Sequence, residues 1–192
     1  EGGASGPGNA LSETPDLSDD GRFMEFISYA QLSGSDNNQF ADIYIRDNIE
    51  NTVTLLSEDF AGNATNGHSM YPAISGDGRF VAFSSEASDI VPGDTNNVSD
   101  VFLVDRWTGN KQRITMSASG GQATGGSFLA AINYDGSLIA YESTARNVLG
   151  TDSSGQYVDT NRHADVFLYS VPLKKTFMVS QNSSRESANG GS

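Results

Sequence analysis

One polar pattern recurs three times along this chain, reading Asp-x-Asn-x-x-x-Asp. It comprises Asp36, Asn38 and Asp42, then Asp94, Asn96 and Asp100, then Asp159, Asn161 and Asp165. The segment leading into each triplet varies in length while the spacing within it does not, so something local must hold it. Carboxylates and an amide oxygen at alternate positions of a curved loop can converge on a hard cation, with main-chain carbonyls completing the shell. On that reading each motif takes Ca2+, and bound metal offsets part of the formal net charge of −13. The same residue types also make Asx turns and cap a short turn by accepting main-chain N–H bonds without metal. The chain has no twelve-residue EF-hand loop with its closing Glu. Both readings stand at this level.

Other chemistries fare worse. There is no cysteine, which removes disulfides, thiol catalysis and thiolate zinc sites. A Ser-His-Asp arrangement needs a base beside a nucleophile, but His68 and His163 are the only histidines and no G-x-S-x-G elbow occurs. Paired carboxylates for glycoside hydrolysis are always available among 24 acidic residues. The acids that stand out, however, recur in every unit, whereas an active site should break the repeat. Gly120-Gly121 and Gly125-Gly126 lack a P-loop lysine, so phosphate binding is not expected. A chain this acidic is not built for nucleic acid. No apolar run approaches the roughly 20 residues of a membrane span, so no membrane insertion is expected.

The elements that must position the acidic loops also repeat. PDLSDDGRFMEF from Pro15, PAISGDGRFVAF from Pro72 and AAINYDGSLIAY from Ala130 align, with their Asp-Gly glycines (Gly21, Gly78, Gly136) 57 and 58 residues apart. Each is followed by its acidic loop, then by an apolar run (ADIYIRD, SDVFLVD, ADVFLYS), then by a second run (TVTLLS, KQRITM, KTFMVS). These runs are β-branched and aromatic and about five or six residues long, as strands are. Asp-Gly between two such runs is a strong hairpin signal, since glycine accepts the positive φ of the turn. Thr108-Gly109 marks another hairpin, while Ile49-Glu50-Asn51 and Pro172-Leu173-Lys174 lack a glycine and suggest turns of another type. Four strands per unit, repeated without helices, are the mark of propeller blades. A β-sandwich with accidental internal similarity is the structural alternative.

The second unit also resembles the TolB-like β-propeller repeat family, through Pro72, Ser75, Asp77, Gly78, Phe83, Gly93, Asp94, Thr95, Asn96, Asp100 and Asp105. The resemblance covers residues 15–180; the third unit departs from it at Ala130, Asn133 and Ser170. It implies a binding or scaffolding propeller in an exported setting, periplasmic or extracellular. The alternative is a carbohydrate-active or hydrolase-associated propeller enzyme, or a fragment of a larger multi-blade protein.

The fold expected is therefore all-β, with three four-stranded antiparallel blades forming half of a six-bladed ring. Residues 1–10 read as a flexible lead-in, 11–60, 61–118 and 119–182 as blades, and 183–192 as an inter-blade segment. Three blades cannot close a ring, since propellers need roughly four to eight. SANGGS at the end matches the segments before the second and third blades, as GNALSETP does at the start. That phase suits a head-to-tail homodimer, and a piece of a longer chain is the rival. In a four-stranded meander the acidic loops and inter-blade linkers share one face of the disc. His68, Tyr157 and His163 belong to that face, which is the candidate surface for a protein or small ligand.

Overall fold

Each Asp-Gly pair closes a hairpin in the same way. Asp20, Asp77 and Asp135 accept the main-chain N–H two residues on, from Arg22, Arg79 and Ser137, at 2.9–3.1 Å. The glycine that follows sits at φ 68–73°, the left-handed region that only glycine enters without strain. Built on these hairpins, the computed structural model describes residues 10–161 and 163–181 and is all-β, with no helix among them. Its twelve strands make three four-stranded antiparallel sheets, each in sequence order. The first holds β1 (Ser12–Leu17), β2 (Phe23–Ser28), β3 (Asp42–Asp47) and β4 (Thr52–Leu55). β5 (Ser69–Ile74), β6 (Phe80–Ser85), β7 (Asp100–Asp105) and β8 (Asn110–Arg113) form the second. In the third lie β9 (Ser127–Ile132), β10 (Leu138–Ser143), β11 (Asp165–Ser170) and β12 (Lys175–Met178). The three-blade architecture is as the repeat predicts. The segments 1–9 and 182–192, which carry the expected lead-in and closing linker, lie outside the described residues.

Two local details differ from expectation. The turns without glycine between third and fourth strands are not a different kind: Asn51 (φ 56°) and Lys174 (φ 48°) take the left-handed position that Gly109 (φ 72°) takes in the second blade. Asparagine adopts that conformation readily, whereas at Lys174 it runs against local preference. The innermost strand of each blade also carries an irregularity that the sequence does not announce. Thr14, Tyr71 and Leu129 stand at φ 49–54°, at the point where the register with the second strand shifts. This repeated bulge bends each inner strand.

Blades pack face to face. Ile27, Ile43 and Ile45 of the first blade meet Ile74, Phe83, Phe102 and Val104 of the second. Ala82, Val101 and Leu103 on its opposite face meet Ile139, Tyr141 and Phe167 of the third. At each junction an aromatic ring seats on the next blade's hairpin glycine. A Cβ on Gly78 would lie 2.6 Å from the Phe23 ring, and one on Gly136 2.2 Å from Phe80. Main-chain bonds lace the same edge, from Asp19 N–H to Gly76 C=O (2.9 Å) and Asp77 N–H to Tyr134 C=O (3.0 Å).

One buried residue breaks the repeat. Glu25 on β2 occupies the position of Ala82 and Ala140, faces the second blade beside Ile27 and Ile45, and is fully buried. Neither of its carboxyl oxygens has a hydrogen-bond partner. Burial, with the nearby Asp16 carboxylate adding to it, pushes its pKa up to about 9. The folded protein therefore keeps Glu25 protonated at neutral pH, while the unfolded chain releases that proton above about pH 4.5. The native state then holds more protons than the unfolded one, so this group's contribution to stability falls as pH rises from about 4.5 to about 9. The slope is at most about 1.4 kcal/mol per pH unit. Asp42, raised to about 6 chiefly by burial, acts with the same sign in the lower part of that window. Urea unfolding should accordingly show a more stable protein at pH 5 than at pH 8, and Glu25→Gln should flatten the decline above pH 6.5. An unchanged slope in that variant would assign the pH dependence elsewhere.

Candidate functional site

The acidic loops join the second and third strands of each blade, and their residues have separable tasks. The last Asp of each motif starts the third strand and accepts a hydrogen bond from a hydroxyl beyond the fourth: Ser57 to Asp42, Thr115 to Asp100 and Ser180 to Asp165, at 2.5–2.6 Å. The same hydroxyl oxygen accepts the N–H of Ile43, Val101 or Val166 at 3.0–3.1 Å. A carboxylate, a hydroxyl and a main-chain N–H thus brace the third strand of every blade. The middle Asn ties its loop to the next linker, donating from Asn38 Nδ2 to Thr65 C=O (3.0 Å) and from Asn96 Nδ2 to Ala123 C=O (3.4 Å). Asn38 and Asn161 also cap their own loops, their Oδ1 accepting the N–H of Phe40 and His163 at 2.7 Å. Asn96 does the same for Val98 N–H at 3.3 Å, so this Asx-turn bond is present in all three loops.

The first Asp of the motif is buried in all three blades, yet each blade treats it differently. In the first blade the Tyr44 hydroxyl donates to Asp36 Oδ2. In the second, Arg113 Nη1 lies 2.9 Å from Asp94 Oδ1 and 3.5 Å from Asp100 Oδ2, so one guanidinium nitrogen spans both carboxylates. The third blade has Met178 at the position of Arg113 and Phe167 at that of Tyr44. There Asp159 Oδ2 is buried with no hydrogen-bond partner. Sequence reasoning passed over Arg113 and Tyr44; the visible signal was the loss of repeat at aligned positions, Leu55-Arg113-Met178 and Tyr44-Phe102-Phe167.

The linkers bond back onto the loops, through Ser69 N–H to Ala41 C=O and Ser127 N–H to Ser99 C=O, both 2.8 Å. Loops and linkers therefore form one face, as the meander requires. His68 lies there as a structural group, since its Nδ1 accepts the Ala41 N–H at 2.9 Å. It also meets Phe40 edge-on at 5.1 Å and Tyr29 at 6.1 Å between centroids. These three half-exposed aromatics replace Val98, Gly126 and Glu86 of the next blade. Beside the second loop, Glu86, Asp94, Asn96, Ser99 and Phe128 line an open cleft of about 600 Å³. In the third blade Tyr157 belongs to a loop closed by the Thr151–Tyr157 bridge, with the Arg146 guanidinium 5.2 Å over its ring. His163 is exposed. The structure brings His68 together with Tyr29 and Phe40, and ties Tyr157 to Arg146.

No family model matches this sequence, and no curated protein matches it either. Among solved structures, the chain is similar to a putative TolB from Agrobacterium tumefaciens, with 19% identity and a TM-score of 0.55 over 88% of this chain. The match covers 48% of the TolB chain, so this chain spans about half of that protein's length. A GH74 enzyme from Niastella koreensis matches with 12% identity and a TM-score of 0.47 over 88% of this chain and 23% of its own. A puromycin hydrolase matches with 8% identity and a TM-score of 0.39 over 88% and 28%. The last two are too distant to carry an argument. The first, with the sheet layout, places the fold among TolB-like propellers.

The shared guanidinium in the second blade generates a stability test. Removing one partner of a buried charge cluster leaves the others uncompensated and costs about 3–5 kcal/mol. Arg113→Met, which copies the third blade's residue, should therefore lower the unfolding free energy by roughly that much in urea titration. A loss under about 1 kcal/mol would show that Asp94 and Asp100 do not depend on it.

Proposed function

We propose that the chain is a non-catalytic propeller module that recognises a protein or small ligand on its loop face, and that two copies close head-to-tail into a single ring. The observation that carries the assembly is a comparison of equivalent positions. Ile74 in the second blade is 5% exposed, while Leu17, its counterpart in the first, is 52% exposed. Ile43 and Val101 are fully buried, while Val166, their counterpart in the third, is 37% exposed. The first blade's outer face and the third blade's outer face are thus the two halves of a contact that already occurs twice within the chain. Glu142 pairs with Val166 on the latter face and Arg46 with Met24 on the former, which sets opposite charges on the two surfaces. A closed ring removes both.

Recognition is assigned to the loop face because rigid blades hold varied loops there. The Tyr29–Phe40–His68 group, the adjoining cleft and Tyr157 are its non-repeated features. An exported, periplasmic or extracellular, setting accompanies this reading through the resemblance to TolB-like proteins.

Sedimentation velocity at micromolar concentration tests the assembly, and the expected mass is twice the 20.3 kDa of one chain. Val166→Arg should return it to one chain with its β-sheet circular dichroism intact. A wild-type protein that sediments as one chain contradicts the ring of two copies.

A further inference from the structure

The three acidic loops form an internal comparison, because the same two carboxylates meet three different surroundings. In the second blade a positive charge sits between them: Arg113 Nη1 touches both Asp94 and Asp100. In the first, the Tyr44 hydroxyl takes that place and satisfies Asp36, while Asp42 Oδ2 stays buried without a hydrogen-bond partner. In the third, the corresponding side chains are Met178 and Phe167, which supply neither a charge nor a donor. Yet Asp159 is 1% exposed and Asp165 2% exposed, both as buried as their counterparts. They are held in the same relation, since Asn161 N–H donates to Asp159 Oδ1 (3.2 Å) and Asn161 Nδ2 donates to Asp165 Oδ2 (2.9 Å). Among the described residues, the Arg146 guanidinium donates to the Asp159 main-chain carbonyl at 3.4 Å and stacks over Tyr157. Asp159 Oδ2 is left buried without a hydrogen-bond partner. A buried, unpaired carboxylate oxygen beside a second carboxylate is expensive unless a cation neutralises the pair.

We infer that the third blade binds a divalent cation of calcium's chemistry between Asp159 and Asp165, at the place where the second blade carries the guanidinium of Arg113. The donors are all oxygen, which selects a hard cation. Two carboxylates completed by main-chain carbonyls and water suit the irregular, larger shell of Ca2+ better than the strict octahedron of Mg2+. Among the described residues no group of three or more His, Asp or Glu side chains gathers to hold a metal. The low charge count sets a weak site, with Kd about 10⁻⁴–10⁻³ M, the range of extracellular calcium modules. Every residue invoked lies within one blade, so the site stands or falls independently of ring closure.

The test is isothermal titration of chelator-treated full-length chain with CaCl2, paired with thermal unfolding in 10 mM CaCl2 and in EDTA. One Ca2+ per chain and a calcium-dependent rise in Tm are expected. Met178→Arg installs the second blade's guanidinium in the third, and should weaken binding at least tenfold while removing the calcium response of Tm. Asp159→Asn, nearly isosteric, should do the same and keeps the test decisive if the arginine variant fails to fold. Absence of binding up to 10 mM, binding unchanged in Asp159→Asn, or a stoichiometry of two or three ions would each overturn the assignment.

Discussion

The packing of one sheet on the next carries this fold, and its tightest point is an aromatic ring over a glycine. Phe23 lies on Gly78 and Phe80 on Gly136, each too close for a Cβ at the turn. Two requirements coincide on those glycines. The hairpin needs a left-handed residue, and the neighbouring blade needs its space. The position of the turn in one blade thereby fixes how the previous blade leans on it, and the main-chain bonds from Asp19 and Asp77 follow from that seating. No sheet here has a core of its own: the buried clusters both lie between blades.

Polar residues act under the same constraint. With the sheets apolar on both faces, the ends of the third strands need anchors that do not depend on side-to-side packing. The Asp–hydroxyl–N–H brace supplies one in each blade, through Ser57, Thr115 and Ser180. Burying three motifs of two carboxylates each then creates an electrostatic problem, solved with a phenol in one blade and a guanidinium in another. Glu25 is a further departure from apolar packing, held neutral by the cost of ionising between two blades. The acidity of the chain is thus partly internal, and does not lie on its surface alone.

Much of this was legible in the residues. Asp-Gly pairs at near-equal intervals, β-branched runs and the invariant Asp-x-Asn-x-x-x-Asp spacing are local signals, and they predicted three four-stranded blades with acidic loops on one face. What escaped notice depends on contacts across the fold. The left-handed conformation of Thr14, Tyr71 and Leu129 is imposed by the bend of the inner strand, against the preference of those residue types. Likewise, Lys174 follows the geometry of its flanking strands. Arg113 reads as a strand-end cation until the register sets it between Asp94 and Asp100. Glu25 looks like a solvent-facing residue of an alternating strand, and only the second blade buries it. For Arg113 and Glu25 a break in the repeat was the available hint.

Leu17 and Val166 show what a blade face looks like when its neighbour is missing, and the account holds that a second copy supplies that neighbour. Small-angle X-ray scattering in solution tests this most directly, since it reads shape and mass together. The account predicts the pair-distance distribution of a closed, flat disc with the scattering mass of two chains. A crescent-shaped particle with the mass of one chain would contradict it.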